Sequence, residues 1–191
     1  MLKIELSDSS KFQVKSCYLD PNDVNPVQWE ENREISLLEK EMLAAANACT
    51  ETEKAAMRLI AMAEQRRWGL NAKLEQRGYD STIIKIVINR LLELNLVDDR
   101  RYAEIWLRKR IARQGKKVPG PQELRAKLQN RGIDRSTAEL ALSSVLDDEG
   151  EWSLLDRYIS SFLLTDGSTP QRRQLRAEGF SPEVLSRFFN D

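Results

Sequence analysis

The spacing of apolar positions changes once along the chain. Near the start, Leu2, Ile4 and Leu6 alternate with polar residues, and Phe12 and Val14 do the same. The "SDSS" between the two runs is turn chemistry, so the pattern predicts a β-hairpin. A two-stranded hairpin is marginal in water and must lean on another element. The stretch "DPNDVNPVQ" reads as a loop, and a helix is expected from about Arg33 to Ala48. Trp29, in or beside the loop, is either an anchor for the hairpin or an exposed contact. From there on apolar residues recur every three to four positions, the helical period. Long helices are expected at about Glu53–Gln65, Asp99–Arg113 and Glu149–Leu164. Thr50 followed by Glu53 has the form of a capping box for the first, and Asp98 or Asp99 suits the N-cap of the second.

Between the long helices the chain repeats itself. "KLEQRGYD" (Lys73–Asp80) returns as "KLQNRGID" (Lys127–Asp134), and more faintly as "QLRAEGFS" (Gln174–Ser181). With Gly78, Gly132 and Gly179 taken as the residue just past a helix end, the pairs Leu74/Tyr79, Leu128/Ile133 and Leu175/Phe180 fall where a Schellman motif wants its apolar contact. Asp80, Asp134 and Ser181 then stand where the next helix needs an N-cap, with Pro182 at a first helical position, where proline is tolerated. Each copy therefore reads as a tight helix–helix corner, followed by helices in "STIIKIVINRLLELNLV", "RSTAELALSSVL" and "PEVLSRFF". The expected fold is mainly α: an N-terminal extension over 1–50 (hairpin, loop, helix), then three-helix units at 51–97, 98–147 and 148–191. Such units stack because none buries its apolar face alone, so an elongated solenoid is expected.

Composition narrows the chemistry. The 191 residues contain no histidine, which removes histidine-based triads, bases and metal ligands. No GxxxxGK[ST] loop and no GxGxxG occurs. The two cysteines, Cys17 and Cys49, are read as free thiols. No run is long and apolar enough for a membrane span, and the N-terminus lacks a signal-peptide core. A cytoplasmic, non-enzymatic protein without cofactor or metal is expected. The zero net charge hides an asymmetry: residues 1–54 carry −5, 55–135 carry +10 and 136–191 carry −5. A basic middle implies an anionic partner.

Several stretches together resemble one family. "DDRRYAEIWLRKR" (Asp98–Arg110), "GPQELRAKLQNRGID" (Gly120–Asp134) and "AMRLIAMAEQRR…LNAKLEQRGYD" are similar to the RecX family of bacterial recombinase regulators, best over about residues 53–146. The matching positions are Asp98, Asp99, Tyr102, Ala103, Arg108, Arg110, Gly120, Pro121, Glu123, Leu124, Lys127, Leu128, Arg131, Gly132 and Ile133. The first unit departs from the pattern: Gly69 stands where a glutamate is expected, with no capping hydroxyl before it, so Trp68 is expected to pack at that helix start. The third unit has Glu178 where the others have Arg77 and Arg131. The resemblance implies a monomer that binds the RecA recombinase filament on single-stranded DNA, lies in its groove and suppresses ATPase, strand-exchange and coprotease activity, with weak direct DNA contact at most.

The candidate contact residues are the cations of the basic middle. Arg108, Lys109, Arg110, Arg113, Lys116 and Lys117 form the densest run; Arg125, Lys127 and Arg131 continue it; Arg66, Arg67, Lys73 and Arg77 form the matching set in the first unit. Arginine suits carboxylate or phosphate through paired hydrogen bonds. The plainer reading is a solvated helix face. Tyr102 and Trp106, four apart, either stack on a base or pack in the core, with core packing favoured. The competing function is a stand-alone DNA-binding protein, since helices joined by a tight corner are similar in outline to helix-turn-helix geometry. The acidic extension is expected to shield the basic middle.

Overall fold

The computed structural model describes residues 1–20, 24–25, 29, 33–113, 118–166 and 170–189. Two strands, β1 (Leu2–Glu5) and β2 (Lys11–Val14), form an antiparallel hairpin in which Leu2 faces Val14 and Ile4 faces Phe12. Nine helices follow among the described residues: α1 (Leu37–Met62), α2 (Arg67–Glu75), α3 (Ser81–Glu93), α4 (Asp99–Ala112), α5 (Pro121–Gln129), α6 (Arg135–Val145), α7 (Asp148–Asp166), α8 (Arg172–Ala177) and α9 (Pro182–Phe189). The mainly α expectation with a small hairpin holds. Contacts divide the chain into two units, 1–97 and 98–191.

In the first unit, one helix replaces two expected ones. α1 starts at Ser36, which accepts the Glu39 N–H while Glu39 reaches back to Ser36 in a capping box, and runs through to Met62. Thr50 and Glu53 are mid-helix. The Thr50 hydroxyl donates to the Ala46 carbonyl, and Glu53 turns inward to meet Lys15, Tyr18 and Arg90. A partly buried ion pair has captured a residue that local pattern marks as a cap.

The same helix receives the hairpin. N–H groups of β2 and of the residue after it are satisfied by α1 side chains: Gln13 donates to Asn47 Oδ1 (2.7 Å) and Lys15 to Thr50 Oγ1 (3.0 Å). Val14, Leu19, Val24, Leu43 and Ala46 form the core beneath, and Trp29 packs against it with the Arg33 guanidinium 4.7 Å from its ring centre. Trp29 is thus an anchor. The extension's charges pair with α1, Lys40 with Asp8 and Lys15 with Glu53. Much of the loop expected at 20–28 lies outside the described residues.

All three predicted corners form. Gly78, Gly132 and Gly179 have φ of +82°, +77° and +91°. Each glycine N–H donates three residues back (to Glu75, Gln129 and Arg176), and each following N–H donates to the Leu74, Leu128 or Leu175 carbonyl. These are Schellman motifs, and all three leucines are buried. Asp80 caps α3, Asp134 caps α6, and Ser181 Oγ accepts the Val184 N–H. Asn95, with φ +54°, makes a fourth such end after α3.

In the second unit, α4–α6 and α7–α9 share one core, from Ala103 and Leu107 through Leu124, Leu128 and Ile133 to Leu154, Leu175, Phe180 and Leu185. Their junction is a backbone contact. α5 begins at Gly120 without a side-chain cap, and the Gln122 N–H donates instead to the Glu178 carbonyl (2.8 Å). A Cβ on Gly120 would lie 3.1 Å from that carbonyl oxygen and 3.0 Å from Glu178 Oε2. Glu178, the odd residue among the three corners, therefore sets a carboxylate at the positive end of α5, where an arginine would be repelled.

Candidate interaction surface on the basic helices

α4 carries three of the candidate cations, Arg108, Lys109 and Arg110, and Arg113 follows as its C-cap. Asp98 accepts the Arg101 N–H and caps its start, and Asp99 stands in the first turn, where the helix end is positive. Ala103 and Leu107 bury one side of the helix, and Tyr102 and Trp106 pack half-buried against the same core. Tyr102, Trp106, Lys109 and Arg113 are spaced four, three and four residues apart, so they form one stripe. At the far end Arg157, from α7, donates to the Ile111 carbonyl (2.6 Å) and more weakly to that of Arg113 (3.4 Å). An added cation thus sits where the helix C-terminus is negative.

The candidate cations fall into two sets. Arg108 is 60% exposed and only loosely paired, 3.7 Å from Glu104. Lys109 and Arg113 are exposed and Arg110 is half-buried, and none forms an ion pair among the described residues. Arg77, exposed beside the first corner, also forms none there. Others are engaged within the molecule. Arg125 pairs with Glu139 (2.8 Å) and contacts Gln122, and Lys127 pairs with Glu123. Arg131 donates to the Lys127 carbonyl and lies over Trp106, 4.4 Å from the ring centre. That placement covers a face of Trp106. Lys73 donates to Gln65 Oε1 (2.8 Å), and Gln65 in turn donates to the Leu59 and Ala63 carbonyls at the end of α1. Arg66, half-buried, lies over Trp68, and Arg67 is exposed. Lys116 and Lys117 lie outside the described residues.

In the first unit one expectation fails. Trp68 does not pack at the start of α2. It is 57% exposed, and Leu70 and Leu74 bury that helix instead. The Arg66 side chain folds over Gly69, where a Cβ would sit 3.2 Å from its Cγ and Cζ. The glycine found in place of a glutamate is thus the room Arg66 occupies.

Elsewhere the titratable groups are structural. Burial opposes the charged form of the Glu53 carboxyl, but the Lys15 and Tyr18 hydrogen bonds and the nearby Arg90 outweigh it and lower its pKa. Burial and Glu53 push the Tyr18 phenol up. Asp80 is lowered by the N–H groups of Ile83 and Thr82 that it caps. Cys17 and Cys49 are both free thiols, the first exposed and the second buried. Among the described residues no cluster of three or more acidic or cysteine side chains suits a metal, and no helix is long and apolar enough to cross a membrane.

Tandem three-helix triplets with a cation-lined long helix define a helical repeat protein whose long helix offers a charged face. Residues 98–142 match the family model described as RecX, second three-helix domain. The chain is 33% identical over 156 residues to the regulatory protein RecX of Pseudomonas fluorescens, which covers 78% of this chain and 96% of that one. It is 30% identical over 141 residues to that of Treponema pallidum, with 73% and 84% covered. A Mycobacterium relative is 37% identical over 89 residues, 47% of each chain. The chain belongs to the RecX family. Two solved structures share its fold: a regulatory protein RecX (TM-score 0.67, 19% identity, 86% and 83% covered) and RecX from Lactobacillus salivarius (TM-score 0.54, 23% identity, 76% and 96% covered).

Proposed function

We propose that this protein is a non-enzymatic regulator of homologous recombination and the SOS response, which binds the RecA filament on single-stranded DNA and suppresses its ATPase, strand-exchange and coprotease activities. The observation that carries the reading is the outward cationic end of α4, where Lys109, Arg110 and Arg113 have no internal ion pair among the described residues. In a chain of this family, unpaired arginine and lysine on a rigid helix suit an acidic protein groove. Arg108 extends that surface, and Arg77 is a separate exposed cation of the first unit. Arg125, Lys127 and Arg131 serve the second unit's own structure, as their internal partners indicate. The reading takes residues 1–50 as an extension and 51–97, 98–147 and 148–191 as the three units of a cytoplasmic monomer.

The test is a titration into RecA bound to single-stranded DNA while ATP hydrolysis is followed. Hydrolysis should slow at substoichiometric protein, and a Lys109→Glu/Arg113→Glu variant should lose at least tenfold in potency while melting like the parent. An unchanged rate at equimolar protein would refute the reading. The stand-alone DNA reading predicts tight binding to bare oligonucleotide with a steep salt slope. The Arg131 cover on Trp106 argues against it, because a base has no free ring face to stack on there.

A further inference from the structure

Of the four tryptophans, Trp29, Trp106 and Trp152 are half-buried against cores and only Trp68 is exposed. An indole held out on a nine-residue helix whose buried face is Gly69, Leu70 and Leu74 does nothing for that helix's packing. Trp68 is also held in place. Arg66 lies on Gly69 and sets its guanidinium 5.4 Å from the indole centre, so part of the ring is covered by a cation that has little freedom of its own. Met62, the last residue of α1 and six positions before Trp68, is 82% exposed. An apolar ring, a flexible thioether and two arginines thus sit within seven residues of chain.

We propose that Trp68 is a protein-docking anchor: its ring enters an apolar pocket on the partner, Met62 lies against the pocket's lip, and Arg66 and Arg67 meet carboxylates on its rim. Tryptophan and arginine dominate such anchors because each buries much surface at small entropic cost, and methionine adapts to irregular apolar surface. The charge around the turn favours protein over nucleic acid. Glu64 and Glu75 flank it at 64–75, mixing signs where a phosphate backbone would want cations alone. The proposal rests on the filament reading and names a second contact for it, in the first unit.

The experiment uses the full chain and RecA assembled on a single-stranded oligonucleotide. Trp68→Ala should weaken filament binding at least tenfold with an unchanged melting temperature, and Trp68→Phe should recover most of the loss. Wild-type emission should shift to the blue on filament binding, and the shift should be absent in Trp68→Phe. Trp68→Ala that binds like wild type overturns the anchor and leaves the filament reading standing. Wild type that does not bind the filament overturns both. Quenching of Trp68 emission by the bare oligonucleotide, equal to that by the filament, overturns the protein anchor in favour of base stacking.

Discussion

Two glycine-to-alanine substitutions separate the backbone and packing demands of the corners. Gly78 and Gly179 both adopt positive φ, at +82° and +91°. An added Cβ at Gly78 meets nothing within 4 Å, so Gly78→Ala bears only the left-handed backbone penalty, about 1–2 kcal/mol. At Gly179 the Cβ would lie 3.0 Å from the Gln122 nitrogen and 3.4 Å from Pro121 Cβ and Gln122 Cβ. It pushes against the donor of the Gln122–Glu178 hydrogen bond. Losing that bond adds about 1 kcal/mol, and shifting backbone in a packed core adds about 1 kcal/mol or more. Gly179→Ala should therefore cost roughly 3–4 kcal/mol, about two to three times Gly78→Ala. Differential scanning calorimetry reads the difference, because each substitution lies in its own unit, and a unit of under 100 residues loses roughly 4–8 °C per kcal/mol. Equal shifts for the two variants would refute the claim that the third corner is clamped onto α5.

Other outcomes follow from the side-chain contacts. Glu53→Gln should destabilise the first unit by about 1–3 kcal/mol, since a partly buried charge network loses its anion, as read by urea unfolding at neutral pH. The Glu53 pKa lies below its ordinary value, so its contribution is complete above the ordinary carboxylate range and fades as pH falls through the lowered folded value. The gap between wild type and Glu53→Gln should accordingly shrink on acidification, and a constant gap from pH 7 to pH 3 would contradict the assignment. Arg131→Ala should cost about 1 kcal/mol and change Trp106 emission as the guanidinium leaves the ring; identical spectra would place that arginine elsewhere. Ser181→Ala removes the cap on Val184 N–H and the hydroxyl bond to Glu151, and should cost about 1–2 kcal/mol in the second unit's unfolding.

The corners were legible because every signal in them is local. Glycine for positive φ, an apolar pair around it and a cap two residues on lie within eight residues. What escaped depends on partners far along the chain. Thr50 and Glu53 carry a convincing start signal, yet Lys15, 38 residues away, and Arg90 turn Glu53 inward and the helix runs on. Gln65 gives no sign in sequence that it closes the end of α1. The basic run was visible as charge, but which cations are spoken for was not: Arg131 is held by Trp106 and Arg125 by Glu139, on other helices. Asn95 carries no comparable signal although asparagine tolerates positive φ, because only the glycine corners repeat.

The hydrogen bond from Gln122 to the Glu178 carbonyl makes repeat number something this architecture cannot vary freely. A helix start with no cap of its own borrows one from the following triplet. A shortened variant ending at α6 would bare both an unsatisfied donor and the leucine-lined half of a common interior. Any rearrangement of the last two triplets has to keep the matching pair at their join: a glycine that yields space and a carbonyl that fills it.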